Sequence, residues 1–499
     1  MPISIKLFFF ELIARISGHP YATTWDSKLP FIILAVFGLG VFVLFFSYFY
    51  CLYFWRGKET KRLFLISVGI LFLIIFFKYL ISYYTSGYIP DRILMYALPS
   101  PRLQGLVWLL LPLIIFTAFM RYRRIIETIP KQMFLFSLYI FFVLFTLSVA
   151  GIREGFLSII DPFTRTHWEY TGNLPLISSL KTFFSQYILL QPSLALHSTT
   201  HPPGYTVVLY FLSFIFGKGF LGLAIGLVLV VGLVLWPLYY LFNYFLTERQ
   251  VRRALQLFVF TPSVVLFTAT SLDAFLMMII WLGMALCYIG WKKNFWLAGL
   301  GGLCLAGALF SNFLFLLLGP FFLWLLWYLR KNTALNERPW FMIKLLFSFL
   351  MFLLFFIGVQ LWSGYSILEN FFVAKMNNDI AVPSNFESVG RYFIYMAISA
   401  LDFIIFLGIP YLVLLGSRLP VFGRKASVIV KSGLFILPLF LLIGVFQGET
   451  GRLWLFLIPF FILFGSTIFD DDNTKQFSAL LALQFFQIII IQILFFTYW

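Results

Sequence analysis

The sequence predicts an all-α integral membrane protein, a polytopic bundle of about 14 transmembrane helices with a large external loop that carries short juxtamembrane helices. Two observations carry this. With 62% hydrophobic residues against 11% charged ones and a mean hydropathy of +0.98, a chain of 499 residues has too little polar surface to coat a soluble globule. Apolar runs of about 17 to 25 residues also follow one another from residue 30 to the C-terminal end, with no Gly/Ser-rich or Pro-rich linker between them.

Three regions follow in order. Residues 1–132 form an N-terminal extension with spans at 30–55, 63–84 and 104–120; Ile3 to Ile16 is too short to span and lacks a small-residue cleavage site, so it reads as an interfacial helix and not as a signal peptide. Residues 133–331 hold spans at 133–151, 219–246, 254–271, 274–290, 295–311 and 314–329, with a long loop over 152–218. Residues 332–499 hold spans at 343–362, 392–416, 428–447, 453–469 and 477–498, with a second loop over 363–391. Small residues in Gly299 to Ala308 (GLGGLCLAGA) predict close helix packing.

Basic clusters come after every second span: Arg56, Lys58, Lys61 and Arg62; Arg121, Arg123, Arg124 and Lys131; Arg249, Arg252 and Arg253; Lys292 and Lys293; Arg330, Lys331 and Arg338; Arg418, Arg424 and Lys425. One alternating topology satisfies all of them, and the positive-inside rule makes that face cytoplasmic. The net charge of +16 is thereby assigned to anionic membrane lipids, and nucleic acid is excluded as a partner. Cys51, Cys287 and Cys304 sit in apolar runs without metal-ligand spacing and read as small buried hydrophobes.

Both long loops then fall outside, where polar chemistry concentrates. Loop 152–218 contains Arg153, Glu154, Asp161, Arg165, His167, Glu169, Lys181, His197 and His201, more ionisable groups than a tether needs. In HSTTHPPGY (197–205) the two prolines set a turn at the point where chain meets lipid; the motif reads either as a helix-opening turn or as a means of holding His201 in a site. Asp273 opens a span on the same face, either as an N-terminal acid favoured by the helix dipole, with Ser271 sharing the cap, or as a functional carboxylate. Glu449 and Arg452 in QGETGRLWLFLIPF (447–460) read either as an interfacial ion pair or as a phosphate-binding guanidinium with its partner. Asp402 falls within a span, where a charge costs at least ~2.5 kcal/mol, so it is paired, protonated or functional.

The order of these features resembles the GT-C superfamily of polytopic membrane glycosyltransferases, in particular the branch near protein mannosyltransferases and lipid A aminoarabinose transferases. A span leads to an external loop with Asp161 and Glu169, then to His201-Pro202-Pro203-Gly204-Tyr205, a span, the basic turn Glu248-Arg249 with Arg252-Arg253, another span, and Asp273. Gly448 to Phe456 is similar to a GET-x-R-x-W-x-F stretch of bacterial members. The resemblance covers residues 133–331 well and later spans loosely. The family's Asp-Glu pair followed by Tyr is not present in that form; Glu169-Tyr170 is the nearest match and Asp161 its rival.

What the resemblance implies is an inverting transfer of sugar from a polyprenyl-phosphate donor to a glycan, lipid or protein hydroxyl on the outer face of the cell membrane. Glu169 or Asp161 would act as base, Asp273 would orient the acceptor, the base or a divalent metal (Mg2+ or Mn2+), and Arg452, with His201, Tyr170, Glu449 and Arg391, would bind the donor. The competing expectation is a multi-spanning transporter or lipid flippase, although no repeat of matched broken helices is visible in the two halves.

Overall fold

The computed structural model describes residues 25–55, 57–84, 93–102, 105–106, 108–425, 428–466 and 474–497, with side chains described from Val36 onward except at 418–434 and 466. The segment from Ile3 to Ile16 lies outside the described residues, as do the side chains of Arg56, Arg418, Arg424 and Lys425. Among the described residues the fold is predominantly helical; the strand pairing there is Leu98–Pro99 against Phe495–Phe496, which ties the N-terminal region to the C-terminal end.

Among the described residues nine helices are long and apolar enough to cross a membrane, ten when Glu248–Phe258 and Pro262–Thr268, bent by 54° at their break, count as one. Several of the fourteen apolar runs are built otherwise. Phe295–Ser311 and Leu455–Gly465 are apolar but shorter. The run 392–416 is two helices, Val389–Leu407 and Ile409–Lys425, parted at Gly408, whose φ of +112° suits glycine alone. Loop 152–218 folds into short helices, Phe156–Thr164, Leu180–Leu190 and Gly204–Phe216 among them.

One hydrophobic core runs from Phe49 to Phe495, so the three sequence regions share a single interior. Its axis is Thr474–Leu494, 89% of whose most apolar window is buried. By contrast Arg338–Ser363 turns Leu346, Phe349 and Leu361 outward, an apolar lateral surface suited to lipid tails. Cys287 is buried as expected, whereas Cys51 lies exposed on such a surface: thiol burial follows the face its helix presents, which an all-round apolar run does not reveal.

The central helix also heals the break at Gly408. Gln487 Nε2 donates to the Ile405 carbonyl at 2.7 Å, Gln487 Oε1 accepts from the Ile409 amide at 2.9 Å, and Gln484 Nε2 reaches the Leu407 carbonyl at 3.4 Å. Away from water, unpaired backbone groups cost several kcal/mol each, so a broken helix persists only with such partners. The small-residue stripe packs as predicted: a Cβ on Gly302 would lie 2.0 Å from the Ser348 carbonyl oxygen, and one on Gly301 2.6 Å from the Cys287 amide nitrogen.

Two of the basic clusters depart from the sequence reading. Arg123 and Arg253 do not face headgroups but are buried, gathered around Glu127: Arg123 Nη1 is 2.5 Å and Arg253 Nε 3.9 Å from its carboxylate, and Gln256 Nε2 donates to it at 3.3 Å. Arg123 also donates to Ser478 Oγ at 2.8 Å, while Arg252 reaches the Glu127 and Ile129 carbonyls and pairs with Glu248. The network clamps Leu110–Thr128, Glu248–Phe258 and Thr474–Leu494. A buried pair broken from one side leaves a charge uncompensated, so Glu127→Ala is expected to destabilise the protein by about 3–5 kcal/mol. Thermal unfolding of the detergent-solubilised protein measures this, and an unchanged midpoint would show that the network does not clamp the helices.

Candidate active site

Three segments distant in the chain meet in one small cavity of about 50 Å³, lined by Glu169, Tyr170, His197, His201, Tyr205, Ser271, Asp273 and Arg452. The local sequence explains why each is delivered there. Ser271 Oγ accepts from the Asp273 amide at 3.1 Å and donates to Asp273 Oδ2 at 2.9 Å, so the turn opening Asp273–Lys292 aims the carboxylate inward. The acid of the helix's first turn therefore also lines the cavity.

The segment with His197 and His201 is held by polar side chains beneath it. Tyr187 donates to the His201 carbonyl at 2.9 Å, Asn173 Nδ2 to Ser198 Oγ at 2.6 Å, Gln191 Nε2 to the Thr199 carbonyl at 3.1 Å, and Asn377 Nδ2 to the same carbonyl at 2.8 Å. The two prolines then turn the chain into Gly204–Phe216. Only glycine fits at 204, because a Cβ there would lie 2.3 Å from the Phe310 carbonyl oxygen. That close approach sets Tyr205 beside Asn312, whose Nδ2 donates to the Tyr205 hydroxyl at 3.3 Å, and the hydroxyl donates in turn to Asp273 Oδ1 at 3.2 Å.

The wall opposite is the turn Glu449–Arg452. Glu449 adopts φ +59° after Gly448 at φ +96°, a left-handed pair that brings the Arg452 guanidinium back over its own carboxylate. Arg452 Nε lies 3.3 Å from Asp273 Oδ2. Burial alone would lower the basicity of Arg452, but Glu449 and Asp273 outweigh it and hold the group above its ordinary range, firmly cationic. Asp402 anchors this turn: it accepts from the Gly451 amide at 2.7 Å, the Thr450 hydroxyl at 3.2 Å and the Tyr96 amide at 2.9 Å. Its role is structural, and through Gly451 it positions Arg452.

Glu169 pairs with His197, Oε2 to Nδ1 at 3.4 Å, and keeps some exposure toward the cavity. Tyr170 is buried with its ring 5.0 Å from that of Tyr205, and burial pushes its phenol well above the usual range, so it stays protonated. Asp161 faces a neighbouring cavity, paired with Arg165. Arg391 lines neither cavity among the described residues; it pairs with Glu387 at 3.6 Å and donates to the Pro383 carbonyl at 3.2 Å. Sequence reasoning missed His197 as the partner of Glu169, and missed Asn312 altogether; a lone amide in the apolar stretch LFSNFLF was the signal.

As for a divalent metal, no group of three or more His, Cys, Asp or Glu side chains that could hold one occurs among the described residues, and Asp273 is already engaged by Arg452, Ser271 and Tyr205. The residues present do not assemble a ligand set. Comparison with known proteins gives no match to a family model, to a curated protein or to a solved structure.

His201 is half-buried, and its Nδ1 is buried with no hydrogen-bond partner among the described residues. Burial, with His197 and Arg452 adding repulsion, pushes its pKa from 6.5 down to about 3. The imidazole is therefore neutral in the folded protein at every pH above about 4, whereas in the unfolded chain it takes a proton below about 6.5. Between those values the unfolded state binds more protons, so stability is lost as pH falls, by about 2 kcal/mol at pH 5 relative to pH 7.5. Unfolding midpoints measured across this range are expected to drop toward acid in the wild type and to drop less in His201→Gln; equal slopes would remove the assignment.

Proposed function

We propose that the protein is an inverting membrane glycosyltransferase that moves a sugar from a polyprenyl-phosphate donor to an acceptor hydroxyl, with the Glu169–Asp273–Arg452 pocket as its centre. The observation that carries this is the convergence of two carboxylates and a largely buried guanidinium from three separate segments, within a bundle whose lateral surface is apolar. In this reading the bundle has fourteen spans, and the pocket opens to the outer face, where a lipid-linked donor presents its headgroup.

Glu169 takes the proton of the acceptor hydroxyl, its carboxylate oriented by the pair with His197. The acceptor oxygen attacks the anomeric carbon from the side opposite the phosphate, the anomeric C–O bond breaks, and polyprenyl phosphate leaves with the bonding electrons. Arg452 meets the charge that develops on the leaving phosphate, in a site dry enough for such contacts to count. Asp273 holds that guanidinium in place. The neutral His201 offers a hydrogen bond without adding a charge. Asp161, engaged with Arg165 in the next cavity, leaves the base role to Glu169.

A cavity of about 50 Å³ has room for a few waters and not for a sugar, so donor binding requires a wall to move. The Glu449–Arg452 turn is the shortest element of the wall. An apolar cavity of about 440 Å³ beside Asp273–Lys292, walled by Trp281, Met284, Phe321, Phe352 and Phe460, suits an isoprenoid tail.

Membranes carrying the protein, supplied with polyprenyl-phosphate sugars labelled in the sugar, are expected to transfer label to an acceptor. Glu169→Gln and Asp273→Asn should each lower transfer by roughly 10² to 10⁴, the usual contribution of a positioned acid or base. Near-wild-type turnover in both would sink the reading, and movement of intact donor across sealed vesicles without turnover would favour a carrier.

A further inference from the structure

Next to the carboxylate pocket, and sharing Thr270 with it, lies a larger cavity of about 270 Å³ lined by Arg102, Arg153, Glu154, Ser158, Asp161 and Arg165. We infer that this cavity is a second binding site, one that takes the phosphate group of a lipid headgroup. The inference does not rest on the transfer reading.

Charge is the first argument. Arg102 Nη2 pairs with Glu154 Oε1 at 3.3 Å, and Arg165 pairs with Asp161. Among the described lining residues this leaves three guanidinium groups against two carboxylates, with Arg153 the surplus cation. Arg153 is 8% exposed; it donates through Nη1 to the Phe495 carbonyl, while Nη2 is buried with no hydrogen-bond partner among the described residues, and so is Arg102 Nε. A buried guanidinium with an unused donor is expensive to keep unless an anion completes it. Burial, with Arg102 next to it, lowers the Arg153 pKa to about 10, so it still carries its charge at neutral pH.

Geometry is the second argument. The Phe496 ring packs against two of the cations, 4.7 Å from the Arg153 guanidinium carbon and 5.3 Å from that of Arg165, which gathers both at one wall of the cavity. Ser158 Oγ accepts from the Glu154 amide at 2.6 Å, leaving its own proton to donate. Guanidinium forks and a hydroxyl around one space match the oxygens of a phosphate.

The lipid source follows from the rim. Phe156–Thr164 puts Ser158 and Asp161 on the cavity while Phe156 and Leu157 are exposed, and Trp108, packed against Gly155, is exposed beside them. A short helix with one apolar exposed flank lies along a bilayer interface, which sets the arginines at headgroup depth.

The test uses the full chain in uncharged detergent, titrated calorimetrically with dodecyl phosphate, with dodecyl maltoside as the uncharged control and inorganic phosphate as competitor. Dodecyl phosphate is expected to bind, with Kd raised about tenfold or more in Arg153→Gln and in Arg102→Gln, the loss of one charge-assisted contact. Arg102 lies at the rim, so its variant keeps the fold if Arg153→Gln does not. Displacement by equimolar inorganic phosphate would assign the site to soluble phosphate and overturn the lipid part; unchanged Kd in both arginine variants would overturn the site.

Discussion

A buried guanidinium must be matched by carboxylates that are themselves held, and Arg452 imposes that requirement on most of the structure around it. Its two partners, Glu449 and Asp273, come from segments with no common secondary structure. Each needs its own scaffold: the left-handed turn at Gly448-Glu449 for one, the Ser271 hydroxyl and Tyr205 phenol for the other. Tyr205 in turn needs Asn312 and the missing side chain at Gly204. Remove the charge at the centre and these devices would have little to hold against; keep it, and each becomes necessary, because a half-satisfied buried ion is worse than none.

The same constraint governs the backbone. In an apolar bundle every interruption of a helix exposes amide groups that lipid cannot satisfy. The break at Gly408 is closed by Gln484 and Gln487 from the central helix, and the turn at Thr450-Gly451 by Asp402. Asp402 also accepts from Tyr96, so one carboxylate ties the N-terminal region, Val389–Leu407 and the turn that carries Arg452. The polar residues of the spans thus serve mainly to permit irregular backbone where the site requires it.

This explains how far the sequence could be read. The fold class was legible because hydropathy acts residue by residue and needs no partner. Asp273, Glu169, His201 and Arg452 were legible as candidates because a charged or imidazole side chain at the edge of an apolar run is locally conspicuous. Their association was not, since it depends on contacts between distant segments; nor was the fate of Arg123 and Arg253, which look like headgroup anchors until Glu127 is placed among them. Asp161 and Glu169 could not be separated by spacing alone, as what distinguishes them is the cavity each lines and the partner each meets, Arg165 for one and His197 for the other. Gly408 shows the same limit: a glycine followed by Ile409-Pro410 signals a break, but only the glutamines of another helix make the break tolerable.

Thr270 divides two environments of opposite character. Among the described residues, two carboxylates line a space on one side with one guanidinium that is already paired; on the other, three guanidinium groups face two carboxylates. In the proposed reaction the first would serve a hydroxyl about to lose its proton, with Arg452 meeting charge that develops on the leaving phosphate, while in the second the unfilled donors of Arg153 and Arg102 suit a phosphate that is already ionised. Merging the two would let the arginines neutralise the carboxylates, lowering their basicity and filling the donors that an anion needs. Kept apart, each set retains its chemistry, and Thr270, which lines both spaces, makes the two cavities neighbours.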